Sequence, residues 1–302
     1  MEAQTADLYR LEDLDDASKT RQLPNSDLAA LRTVVDWIKS FVTLPHRDIG
    51  RDGPVCPFVP QAIQRKTLWL PSEHVAGGSV AEVVQFVNGY KTQLLKQPIH
   101  DAGVNYNSIV IVFTDLSADR RKGLFDDVLK QLAVRSYAED GLVMGGFYES
   151  NETTAIYNRS FRPFTPPVPF LLMRHAVISD WKFFLDNDDW LNRWAHRYGE
   201  SGIRALAERT TPLAMAGGGR RIPQQMSSGR EFHGKMALPL DRGGDAEGRV
   251  RAQARITDAI LLCLRLQRES SARTWPGCQG RGARGGGARG GVHDTYALVS
   301  LT

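Results

Sequence analysis

Apolar residues recur at intervals of three and four from Leu28 to Val42 (Leu28, Leu31, Val34, Val35, Ile38, Phe41, Val42), the spacing of a helix with one buried stripe. Asn25 or Ser26 stands where a cap would start that helix, and Pro45 lies just past its end. A Gly-, Pro- and Asp-rich loop over 46–60 leads to the short apolar run 67–70, which reads as a strand. Gly77, Gly78 and Ser79 open a second helix carrying Val80, Val83, Val84, Val87 and Leu94. The segment 108–114 (SIVIVFT) is β-branched and apolar on both faces, which predicts a central strand. Ser117 opens a third helix, whose Leu124, Phe125, Val128, Leu129 and Leu132 face inward. Segments 142–148 and 168–177 predict two further strands. From Ser179 a last helical pair runs through Trp181, Phe184, Leu185, Trp190, Leu191, Trp194, Ile203 and Leu206. The order α-β-α-β-α-β-β-α-α predicts an α/β (α+β) fold: a small mixed β-sheet of about four strands covered by helices.

Charge changes this picture at one end. The 302 residues carry 38 Lys+Arg against 34 Asp+Glu, a net charge of +4, yet the body up to residue 213 is slightly acidic. Beyond it the basic residues are almost all arginine, more than half of the 28 glycines collect, and large apolar residues are scarce. So little apolar surface cannot offset the entropy of ordering, which predicts a mostly disordered tail. Only 249–268, with Ile256, Ile260 and Leu264 at helical spacing, departs from that composition. The expected organisation is therefore a flexible N-terminal segment (1–24), a globular α/β domain (25–213) and a low-complexity C-terminal tail (214–302). The stretch RGARGGGARGG at 281–291 has a composition able to hold single-stranded RNA. A dispensable segment explains it more simply, so nucleic acid is not expected as a partner.

No apolar run reaches the roughly 18 residues needed to cross a bilayer, so no membrane association is expected. The acidic start is unlike a signal peptide. Cys56, Cys263 and Cys278 are too widely spaced for a disulfide framework or a zinc site. A cytoplasmic protein is expected.

Reactive residues concentrate in LPHRDIGRDGPVCPFVP at 44–60, which places His46, Arg47, Asp48, Arg51, Asp52 and Cys56 on a loop braced by Pro45, Pro54, Pro57 and Pro60. A Cys-Pro pair can present a thiolate on a turn, and a thiolate is an axial ligand for haem iron. The plainer reading makes Cys56 a small buried hydrophobe. His46, on the same loop, and His175, in the apolar run FLLMRHAVI, are the alternative axial ligands, or else satisfied core residues. Arg47, Arg51 and Arg174 could clamp a carboxylate, a propionate or a phosphate. They could equally pair on the surface with Asp48, Asp52 and Asp180. Gly77–Ser79 could cradle an anion on free N–H groups, although a plain helix start accounts for it. Signatures of serine hydrolases and zinc enzymes are absent.

Three blocks together, GRDGPVCPFVP at 50–60, GGFYESN at 145–151 and PPVPFLLMRHAVISDWKFFLDNDDWLNRWAHRYGE at 166–200, resemble an uncharacterised bacterial domain family associated with natural-product gene clusters. The resemblance spans about residues 28–209. The layout is also distantly similar to the YqcI/YcgG family of haem-dependent N-oxygenases, which carry an early loop with Pro-Cys where this chain has Val-Cys-Pro. That similarity implies a haem (heme) cofactor held by Cys56, His46 or His175, and an oxygenase of secondary metabolism acting on a small-molecule substrate. Two alternatives stand beside it. One is a non-catalytic protein that binds a small molecule or a partner on the same scaffold. The other is an RNA-associated protein that uses its Arg-Gly tail.

Overall fold

In a computed structural model, the described residues are 6–75, 77–99, 105–184 and 187–210. The strands are β1 (Tyr9–Arg10), β2 (Leu68–Leu70), β3 (Ser72–Glu73), β4 (Ser108–Phe113), β5 (Leu142–Phe147) and β6 (Phe170–His175). The helices are α1 (Asn25–Trp37), α2 (Val59–Gln64), α3 (Val80–Leu95), α4 (Ala118–Arg135) and α5 (Asp188–Thr210). All four expected strands are present; the two extra ones, β1 and β3, are two-residue pairings too short for any periodic signal. The tail from 214 onward, with its Arg-Gly stretch, lies outside the described residues.

The sheet runs in the order β1-β2-β4-β6-β5, with β3 pairing β4 beyond the end of β2. Strands β2 and β3 lie parallel to β4, while β6 is antiparallel to both β4 and β5. β4 is buried along its whole length, as its two-sided apolar character requires. Its side chains alternate between two cores. Ile109, Ile111 and Phe113 face α3 and α4, joined there by Met144, Leu171 and Met173. Val110 and Val112 face α1 and the Cys56 loop, joined by Phe147 and Phe170. A third cluster, with Tyr137, Trp181, Phe184, Leu191 and Trp194, closes the end of the sheet beneath α5.

Local chemistry sets the helix boundaries. Ser79 and Glu82 form a reciprocal cap on α3: the Glu82 N–H donates to Ser79 Oγ at 3.3 Å and the Ser79 N–H donates to Glu82 Oε2 at 2.7 Å. This occupies an N–H group that an anion would need, so Gly77–Ser79 is a helix start. Helix α1 is entered directly from Pro24, and neither Asn25 nor Ser26 caps it with a side chain. The axis continues as one wide turn over Ile38–Val42. At Gly146 on β5, an added Cβ would lie 2.9 Å from Phe125 Cβ, so the missing side chain is what lets α4 sit down on the sheet.

The N-terminal segment departs from expectation. Tyr9, Leu11 and Leu14 are buried in the α1-side core, β1 pairs antiparallel with β2, and Arg32 donates to the Leu14 carbonyl at 2.8 Å. Three apolar residues in so short a stretch bury well but carry too little pattern to be recognised.

Candidate functional site

The loop between α1 and α2 is tied down mostly by its backbone. The Cys56 N–H donates to the Val42 carbonyl and the Val55 N–H to the Leu44 carbonyl, both at 2.9 Å, and a bridge joins Pro45 to Pro54. Gly50 adopts φ +79°, and a Cβ there would meet Tyr157 Cβ at 2.7 Å. Arg51 reaches back across the turn and donates to the carbonyls of Asp52 and Val55, each at 2.9 Å. Asn158 Nδ2 donates to the Asp48 carbonyl at 2.8 Å, pinning the loop to the segment after β5. Five hydrogen bonds and the left-handed turn at Gly50 thus fix the loop that carries Cys56.

Between this loop, α1, α2 and the sheet lies a hollow lined by Trp37, Ile38, Val42, Cys56, Phe58, Ala62, Asn105, Tyr106, Ser108, Val110, Phe170, Leu172, Arg174 and His175, among others. Its cavity volume is about 50 Å³, and with the open mouth the empty space reaches about 640 Å³. At roughly 10–15 Å³ per water, the cavity holds about three to five waters.

The structure brings three of the candidate residues to this hollow: Cys56, Arg174 and His175. The other three lie outside it. His46 stacks on Phe161 with ring centroids 4.5 Å apart, and its Nδ1 accepts the Asp48 N–H at 3.2 Å. Arg47 points to solvent, its side chain 92% exposed. Arg51 is committed to the loop carbonyls. Asn105, Tyr106, Ser108 and Ala62 carry no signal in the sequence: the first two lie in the loop before β4, Ser108 starts β4 and Ala62 sits inside α2, and only the fold brings them together.

Burial dominates the electrostatics here. It pushes the Cys56 thiol above its ordinary pKa, although the Phe58 and Val59 N–H groups, Arg174 and Arg51 all pull the other way. The sulfur is therefore a neutral thiol near neutral pH. Reactive cysteines sit in electropositive, partly exposed surroundings, and a sealed thiol is a poor nucleophile. Burial also pushes His175 below its ordinary value, and the neighbouring Arg174 adds to the effect, so the ring is neutral.

Arg174 forms a fork with Asp180, Nη2 to Oδ1 at 2.7 Å and Nη1 to Oδ2 at 3.2 Å, and its guanidinium lies 5.4 Å from the Phe58 ring centroid. Asp180 also accepts the Val177 N–H at 2.8 Å. The Arg174–Asp180 pairing is one of the alternatives the sequence suggested, but it is buried, not superficial: the Asp180 side chain is only 1% exposed. Two polar atoms on lining residues, Asn105 Nδ2 and His175 Nε2, are buried without a hydrogen-bond partner among the described residues.

The donor set and the space give opposite answers for haem. The backbone N–H groups of Phe58 and Val59, which favour the ionised sulfur, would suit a metal-bound thiolate. The cavity volume, however, is far below the roughly 300–1,000 Å³ of pockets that surround a drug-sized ligand, and a porphyrin is larger than most such ligands. The arginines that would hold propionates are paired, committed or out in solvent. In this conformation the hollow does not fit haem. Among the described residues, no group of three or more His, Cys, Asp and Glu side chains is placed to hold a metal, and no helix is long and apolar enough to cross a membrane.

Residues 31–209 match the model of a family described as a domain of unknown function (DUF6875). The chain belongs to that family. The match runs from the middle of α1 through nearly all of α5, and so contains every lining residue of the hollow. No curated protein and no solved structure matches the chain.

Proposed function

We propose that the hollow beneath the Cys56 loop is the binding site of a small, mostly apolar molecule, and that this DUF6875 protein binds or processes that molecule in the cytoplasm. One observation carries the reading: an apolar recess whose lining residues hold two buried polar atoms, Asn105 Nδ2 and His175 Nε2, without hydrogen-bond partners among the described residues. Buried polar groups are nearly always satisfied, so a recess that leaves two of them open is built for something that satisfies them. Binding, not covalent catalysis, fits the chemistry, because the thiol is neutral and sealed. The narrow interior takes an alkyl chain or one small ring, with the rest of the ligand in the mouth.

Methyl NMR under xenon pressure tests this. The expected result is that Val42, Ala62, Val110 and Leu172 shift, and that Ala62→Leu, which fills the recess, abolishes the response. Shifts confined to other methyls would overturn the reading.

The second reading is a haem-dependent oxygenase of secondary metabolism, supported by the Phe58 and Val59 N–H groups, which favour an ionised Cys56 sulfur against the effect of burial. A Soret band on adding haemin, lost in Cys56→Ser, would put this reading in place of the first. An unchanged spectrum removes it.

A further inference from the structure

The polar groups around the hollow are unequal in kind, and that inequality selects a ligand. Asn105 already uses its Oδ1 to accept the Asn107 N–H at 2.9 Å, so the capacity left open is the two hydrogens on Nδ2. Cys56 adds a thiol, a weak donor. Ser108 Oγ is turned to the Tyr106 carbonyl at 3.4 Å. The neutral ring of His175 can serve as donor or acceptor. Among the described residues, Arg174 is the only charged one on the lining, and Asp180 already neutralises it. No carboxylate lines the hollow among the described residues.

From this arrangement, and resting on the binding-site reading, we infer that the hollow selects an uncharged molecule with a hydrogen-bond acceptor, a ketone, ester or carboxamide carbonyl, over acids and amines of the same shape. A carbonyl oxygen satisfies the open Asn105 donor and gives up little hydration on entering. An ionised acid would leave water for a site whose one cation is already matched. An ammonium group would meet no anion at all. The lining thus rejects both signs of charge and rewards one neutral acceptor, with Asn105 as the specificity-determining residue.

The test titrates the full chain with pentan-2-one, pentanamide, pentanoate and pentylamine, followed through the same methyls that report xenon. The ketone and the amide are expected to bind at least about tenfold more tightly than the acid and the amine, the factor that one unsatisfied or unmatched buried group commands. Asn105→Asp keeps the oxygen that serves Asn107 and replaces the open donor with an acceptor. It is expected to weaken ketone binding about tenfold while leaving the xenon shifts in place. Equal binding of all four probes, a preference for pentanoate, or an Asn105→Asp variant that binds the ketone normally would overturn this inference and leave the pocket standing. Absence of any xenon or probe shift at these methyls would overturn the pocket itself.

Discussion

On one face of the sheet, α3 and α4 bring Val83, Val87, Leu124, Phe125 and Val128 onto Ile109, Ile111 and Phe113, and each of these is 5% exposed or less. On the other, α1, the short α2 and the Cys56 loop cover Ser108, Val110 and Leu172 but leave the hollow open. Both faces are built on the same strands, so the backbone cannot account for the difference. Side-chain volume can. Where the first face sets branched and aromatic side chains against each other, the second places Ser108, Cys56 and Ala62, all small, on the lining of the hollow. A loop that spends its hydrogen bonds on its own carbonyls adds no bulk. Native interiors are close-packed, so a recess that persists because small residues meet there marks a place kept for something else.

The largest expected break in this comparison is at the rim of the hollow. Asp180→Ala would strand the buried Arg174 guanidinium, and removing one partner of a buried pair costs about 3–5 kcal/mol. Chemical denaturation should show that loss. Replacing both partners, Arg174→Met with Asp180→Leu, should recover most of it. A single variant that costs under about 1 kcal/mol would mean that water already reaches the guanidinium.

A matched pair of smaller changes sharpens the contrast. Gly146→Ala pushes a methyl to 2.9 Å from Phe125 on the filled face, where overpacking costs about 1–3 kcal/mol. Ala62→Leu adds more atoms on the open face, where there is room, and should leave stability within about 0.5 kcal/mol of the parent. Midpoints of thermal unfolding for the two variants decide it. If Ala62→Leu proves the more damaging, the recess is not a place with space to spare.

The filled face is also the one the sequence describes well. Helices α3 and α4 announce themselves by apolar residues at three and four, and β4 by its unbroken β-branched run; each lies within a residue or two of where those patterns put it. The open face is legible only in part. Cys56 was marked by its proline-rich loop and Arg174 and His175 by their odd place in an apolar strand, yet the same reasoning gave equal weight to His46, Arg47 and Arg51. Nothing in a linear pattern reveals that Arg51 turns back onto its own loop or that His46 stacks on Phe161, more than a hundred positions away. Asn105 and Ala62 carry no local signal either, because their importance lies in what faces them. The β1 edge was missed for a similar reason: two residues of pairing have no period.

The smallest effect is a pH dependence confined to the open face. Burial, reinforced by Arg174, holds the His175 pKa below its ordinary 6.5 in the folded state, whereas in the unfolded chain it returns to that value. As the pH falls through 6.5, the unfolded chain therefore takes up the proton first. Folding stability from this group is fully present above that pH and is lost on going down toward the folded pKa. In urea titrations from about pH 7.5 to 5.5, the parent should lose stability more steeply than His175→Gln, which cannot titrate. A ligand that accepts a proton shared with Nε2 would behave differently: one that binds the neutral ring deepens the slope, and one that binds the imidazolium reverses it. The sign of that change distinguishes a carbonyl seated beside His175 from an anion drawn there. Parallel slopes for parent and variant would show that this imidazole is open to solvent, and the recess would then lose one of its two waiting polar atoms.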